Sequence, residues 1–273
     1  MPLHIRVLGS SSAGNCTVVW DGTHALLVDC GFSPRYTFHS LRALGLGPIN
    51  LSGVLITHTH GDHINENVLG YLREWRVPIC TPESVAADLI KRSATVKMAA
   101  GEKLLRTFRD DALELGRFDV GCFEVPHDSP GGCYGYAITH NEGHARRTVS
   151  VATDIGFPRK ELLRRFTDAD AIVFESNHDP DMLENSGRPE WLKQRIRQIG
   201  HLSNQQCAGF LTDVFRQSSR PPSAVVLAHI SQTCNTNALA LKCTRTALQK
   251  HGFSDALVVE SFKMTANQVV TVR

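Results

Sequence analysis

The chain is 273 residues long, 42% hydrophobic and nearly balanced in charge, with 29 Lys and Arg against 27 Asp and Glu. A length of this order buries one large core, which predicts a single domain over residues 1–273, and a net charge of +2 excludes a dedicated, strongly basic nucleic-acid coat. No apolar run approaches the ~18 residues of a membrane span, so no membrane partner is expected.

The opening stretch Met1-Pro2-Leu3-His4-Ile5-Arg6 lacks the apolar core of a secretory signal, which predicts a soluble, cytoplasmic protein. Its eight scattered cysteines form no C-x-x-C pair and read as reduced core residues. Three short apolar segments, Leu3 to Leu8, Cys16 to Trp20 and Ala25 to Val28, predict an antiparallel meander. Its first turn, Gly9 to Asn15, is rich in donors and suits an anion site or an ordinary flexible loop. Asp29 closes the third strand. Pro34 to Leu44 reads as a helix, Val54 to Thr57 as a buried strand, Ile64 to Trp75 as a helix, and Glu83 to Arg92 as another with Pro82 at its start. Leu113 to Leu115, Cys122 to Val125, Tyr134 to Thr139 and Arg147 to Ala152 predict a second sheet. His127 and Asp154 each follow one of these strands and enter a Gly-containing loop. The buried run beginning at Ala171 delivers Glu175-Ser176-Asn177-His178-Asp179. Farther on, His201 precedes Ser203, a helix N-cap for Cys207 to Phe215 whose positive end favours an anion. His229 follows the apolar run Ala224 to Ala228.

Four metal-capable side chains, His58, His60, Asp62 and His63, fall within six residues. Buried separately, each would need its own polar partner, whereas a metal centre satisfies several at once. With a strand ending beneath them, His58 and His60 project to one side, and Gly61 lets the chain turn. Asp62 and His63 then stand at the start of the next helix, facing back across the site. Two neighbouring metal sites can be built this way.

His58-x-His60-x-Asp62-His63 after a strand resembles the signature of the metallo-β-lactamase superfamily. Its members are mostly two-metal hydrolases on an αββα sandwich, an α/β fold of two mixed β-sheets flanked by helices. The resemblance implies one divalent ion on His58, His60 and His127, and a second on Asp62, His63 and His229. Asp154 would lie between the two ions, and Asp29 would support the ligand loop. Nitrogen-rich ligation suits Zn2+, and the carboxylates also admit Mn2+. The lack of an export signal weighs against an antibiotic-degrading enzyme.

Gly9-Ser10-Ser11-Ser12-Ala13-Gly14-Asn15-Cys16, the Glu175 cluster and Gly200-His201-Leu202-Ser203-Asn204 together resemble the YycJ/WalJ-type bacterial metallo-hydrolases. These are similar to 5′-exonucleases and, more distantly, to tRNase Z and the phosphodiesterase PhnP. The stretch Ile230 to Asn237 departs from that pattern, lacking its paired asparagines. The resemblance implies a metal-dependent phosphodiester hydrolase acting on DNA or RNA, in which Asp62 borders the attacking water while Glu175 and His201 supply an acid for the leaving group. Ser11, Asn15, Asn177 and Ser203 are the implied substrate contacts. A small-molecule phosphodiesterase and a glyoxalase II-like thioesterase are the alternatives on this fold, though thioester hydrolysis leaves Glu175 and His201 without an evident job. Only 74 residues separate Asp154 from His229, too few for the inserted domain of β-CASP nucleases. Candidate patches for a nucleic-acid backbone are Arg146-Arg147, Arg159-Lys160 with Arg164-Arg165, and Lys193 with Arg195 and Arg197.

Overall fold

Apolar, β-branched runs broken by Gly-rich and Asp-Gly turns produce the expected meander. In the computed structural model, which describes residues 2–108, 112–142, 145–264 and 267–272, β1 (Leu3–Ser11), β2 (Gly14–Trp20) and β3 (Ala25–Val28) pair antiparallel. The sheet continues in parallel through β4 (Leu51–Leu55), β5 (Ile79–Thr81) and β6 (Leu105–Thr107). Parallel neighbours need crossovers. Here these are the helices α1 (Pro34–Arg42), α2 (Glu66–Glu74), and the pair α3 (Glu83–Arg92) and α4 (Ala94–Gly101).

The second sheet repeats the plan. An antiparallel run of β7 (Ala112–Leu115), β8 (Phe118–Val125), β9 (Cys133–Glu142) and β10 (Ala145–Ala152) leads into parallel β11 (Ala171–Glu175), β12 (Ala224–Ala228) and β13 (Leu257–Glu260). The crossovers are α5 (Lys160–Phe166), then α6 (Pro180–Glu184), α7 (Glu190–Arg195) and α8 (Asn204–Gln217), then α9 (Asn237–Lys250). Finally β14 (Val270–Val272) returns to the first sheet beside β1. Among the described residues each sheet has seven strands. One apolar layer, including Ile5, Val19, Leu55, Tyr136, Val173 and Val226, lies between the sheets. Two further layers lie under the helices, which makes an αββα sandwich. Strands covered on both faces are buried along their whole length, as β3, β11 and β12 are.

Two local expectations need correction. The helix expected from Ile64 begins at Glu66, because the Asn65 side chain accepts from the backbone N–H groups of Asn67 and Val68 and caps it there. Asp62 and His63 therefore sit in a tight turn ahead of the helix, closed by His63 N–H donating to the His60 carbonyl at 3.1 Å. The strand before the histidines also ends early, at Leu55. Helix α8 does start from Ser203, whose hydroxyl accepts from Gln206 N–H while the Gln206 side chain accepts from Ser203 N–H. All eight cysteines are free thiols and seven are buried. Among the described residues no helix is long and apolar enough to cross a membrane.

Candidate metal centre

The strands deliver polar residues at their C-terminal ends. Three of those residues, Asp29 (φ 60°), Asp154 (φ 57°) and His229 (φ 54°), are in the left-handed region just beyond β3, β10 and β12. Such backbone costs a non-glycine residue about 1–2 kcal/mol, although Asp and His tolerate it better than most. Here the sharp turn accompanies the convergence of side chains from both sheets on one cleft.

His58, His60 and His127 form the first group. His60 Nδ1 lies 3.0 Å from His58 Nε2 and 3.4 Å from His127 Nε2. The outer nitrogens are held from behind, His58 Nδ1 by Thr57 Oγ1 at 2.9 Å and His127 Nδ1 by the Gly200 carbonyl at 2.9 Å. Such bonds fix the ring and its tautomer, so the inner nitrogens present lone pairs to one point. Burial, foremost, holds all three imidazoles below the ordinary histidine range, in the neutral form that ligates a metal.

Asp62, His63 and His229 form the second group. Asp62 Oδ2 lies 3.5 Å from His63 Nε2 and 3.7 Å from His229 Nε2. Asp29 Oδ2 accepts from His63 Nδ1 at 2.7 Å, while Thr57 N–H and Oγ1–H tie Asp29 to the base of the ligand loop. Asp154 stands between the groups, its Oδ2 3.1 Å from His63 Nε2 and its Oδ1 4.0 Å from His127 Nε2. Burial opposes charge on Asp62 and Asp154, yet His229 and His63 hold both well below the usual carboxylate range.

The donor set fits divalent metal. Two buried atoms at its middle lack a well-formed hydrogen bond: His229 Nε2, and Asp154 Oδ2, which lies 3.1 Å from His63 Nε2 without hydrogen-bond geometry. Within each of the groups His58/His60/His127, Asp62/His63/His229 and His58/His63/Asp154, the ligand atoms lie within 4.8 Å of one another. Leaving such atoms unpaired in a protein interior is costly, and a cation removes the cost.

Glu175, fully buried at the end of β11, joins this centre to His201. Its Oε1 is 2.8 Å from His201 Nδ1 and 2.9 Å from His229 Nδ1, and its Oε2 accepts from Ile155 N–H and Leu202 N–H. Burial opposes its charge, but His201 and His229 hold it ionised at about 2. It therefore orients the last histidine of the second group as well as His201, a double role the sequence does not signal. Asp154, Glu175, His201 and His229 also place their ligand atoms within 4.8 Å of one another, but the Glu175 oxygens already accept these four bonds, which favours a positioning role over ligation.

The four implied substrate contacts have internal partners. Ser11 is 1% exposed and accepts from Ala13 N–H; Asn177 donates to the His229 carbonyl; Ser203 caps α8. Asn15 donates to Asp62 Oδ2 at 3.2 Å and accepts from Ser10 Oγ–H, and Ser10 Oγ in turn accepts from His229 N–H. The Ser/Gly-rich turn is thus a tight hairpin bracing the second group. In the third basic patch, Arg195 pairs with Asp128, and Arg197 with Glu184 and Glu190, so local carboxylates neutralise these two arginines.

Residues that sequence reasoning passed over include Thr57, Ser10 and Gly31. The Gly31 backbone runs against the Asp62 carbonyl, and an added Cβ would lie 1.8 Å from that oxygen. Three backbone bonds lock the contact: Asn15 N–H to Asp62 O, Cys30 N–H to His63 O and Gly31 N–H to Asn15 O. Gly31→Ala must push the Asp62–His63 turn away. We expect a loss of about 1–3 kcal/mol of stability and of roughly 10–100-fold in metal affinity, read by thermal melts with and without metal. A melting temperature and metal response equal to the parent's would show that the turn can give way freely.

Residues 24–230 match the family model described as "Beta-lactamase superfamily domain". The chain is 32% identical to exodeoxyribonuclease YycJ of Bacillus anthracis over 269 residues, covering 97% of this chain and 95% of that protein. It is 28% identical to exodeoxyribonuclease WalJ of Streptococcus pneumoniae, covering 86% and 84% of the two chains. Among solved structures it resembles the metallo-β-lactamase fold protein YhfI of Bacillus subtilis, with a TM-score of 0.70 at 17% identity over 99% of this chain and 100% of that one. By the family match and the near full-length likeness to YycJ, the chain belongs to the β-lactamase superfamily.

Proposed function

We propose that the protein is a two-metal phosphodiester hydrolase that acts on nucleic acid as a 5′-exonuclease, with His58, His60 and His127 holding one Zn2+ or Mn2+ and Asp62, His63 and His229 the other. Asp154 is shared between them. The observation that carries this reading is the Glu175–His201 pair beside the centre, because a phosphodiester releases a poor leaving group that needs a proton, whereas a thioester does not. The names of the relatives, both exodeoxyribonucleases, point the same way. The free thiols suit a reducing compartment such as the cytoplasm.

Bound in these two groups, divalent ions would supply Lewis acidity for activating water and polarising the phosphoryl oxygen. The chain's own residues do the rest. Asp62 Oδ2 orients the attacking water, and Asn15 holds Asp62 in place. Glu175 fixes His201 through Nδ1, which leaves Nε2 to donate its proton to the departing oxygen. Water oxygen joins phosphorus, the bond from phosphorus to the 3′-oxygen breaks, that oxygen takes the His201 proton, and the water proton passes to solvent.

The test is digestion of 5′-labelled single- and double-stranded DNA and RNA by the metal-loaded protein, alongside a small phosphodiester and a thioester. Early release of labelled mononucleotide is expected. Strong thioester turnover with no cleavage of any nucleic acid would overturn the reading.

A further inference from the structure

A pocket of about 190 Å³ opens beside the metal centre and takes His201 and His229 into its lining. Other parts of its lining, Leu183, Ile196 and Cys234, belong to a small apolar cluster separate from the main cores. Two polar groups of this pocket have no task in the centre. His178 lines the pocket and is 2% exposed, and its buried Nδ1 has no hydrogen-bond partner. Arg188 donates to Thr233 Oγ1 at 2.9 Å and contacts Cys234 Sγ at 3.4 Å. Unlike Arg195 and Arg197, it has no carboxylate partner among the described residues.

We propose that this pocket receives the terminal 5′-phosphate of the strand being cut, with Arg188 as its binding group; the proposal rests on the nuclease reading above. In that reaction the fragment that leaves carries the 3′-oxygen protonated by His201, so it is the part of the strand on the 5′ side of the broken bond. That fragment departs on the side of His201, where the pocket lies. In a 5′-exonuclease that fragment is a single nucleotide, so the 5′ end of the strand lies within one nucleotide of His201. The 5′ end of the strand therefore comes to this pocket, and a phosphate suits it because the Arg188 guanidinium in its lining has no carboxylate partner among the described residues and can take an anion with several oxygens.

The test compares kcat/KM of the metal-loaded protein on one oligonucleotide carrying either a 5′-phosphate or a 5′-hydroxyl. The parent should prefer the phosphate by about tenfold or more, the scale of one hydrogen bond to a charged group. Arg188→Ala should bring the ratio toward one through KM, with Arg188→Lys between the two. Thymidine 5′-monophosphate should compete better than thymidine against the parent, a measurement that needs no variant. Equal rates on both ends, with DNA still digested, would overturn the pocket's role and leave the nuclease reading standing. An unchanged ratio in Arg188→Ala would overturn it equally. Failure to digest either end would overturn the nuclease reading and the pocket together.

Discussion

Asp62→Ala is expected to lower phosphodiester hydrolysis by at least ~10³, since it removes both a ligand and the group that orients the attacking water, and each supports several kcal/mol of transition-state stabilisation. The fold should survive. Asp62 lies in a turn, its side chain is 21% exposed, and the turn is held by backbone bonds from Asn15 and Cys30 that do not involve the carboxylate. Far-ultraviolet circular dichroism should match the parent. The rise in melting temperature on adding metal should shrink, because stabilisation by a ligand scales with its affinity for the native state. Activity within a few-fold of the parent would remove Asp62 from the mechanism.

His201→Ala is expected to lower kcat by ~10² to 10⁴, the usual scale for losing a general acid, with metal content unchanged. The loss should shrink on a substrate that releases p-nitrophenolate, which leaves with little help from a proton. Equal losses on good and poor leaving groups would confine His201 to binding or structure. Glu175 separates the two roles. Because Glu175 Oε1 holds both His201 and His229, Glu175→Gln should weaken metal binding by roughly 10–100-fold in addition to slowing turnover. His201→Ala should show only the kinetic effect.

The candidate site was more legible in the sequence than its supports. His58, His60, Asp62 and His63 are close in the chain, and His127, Asp154 and His229 each follow a recognisable apolar strand, so residue type and setting mark them. Their supports are contacts across the fold. Nothing local says that Asn15 reaches Asp62, that the Gly200 carbonyl holds His127, or that Ser10 accepts from His229 N–H, a pair 219 positions apart. The same limit applies to the elements. Strand β5 has only three residues, too short to show a period. The buried positions of α9 are Ala240, Thr244 and Leu248, and a small and a polar side chain on that face hide the apolar stripe. Asp62 and His63 read as helical because the apolar pattern starts at Ile64, yet Ile64 instead bridges to Cys30, and Asn65 caps the helix behind it. The αββα architecture itself came from the family resemblance, whereas the alternation of strands and helices alone fits several layered folds.

Elemental analysis of the purified protein, reconstituted with Zn2+ or Mn2+ and freed of excess ion, is the most direct measurement. Two ions per chain are expected, falling toward one or none when His58 and His60 are both replaced by alanine, with the metal-dependent gain in melting temperature lost in parallel. Fewer than one ion per chain in the parent protein would contradict a two-metal hydrolase.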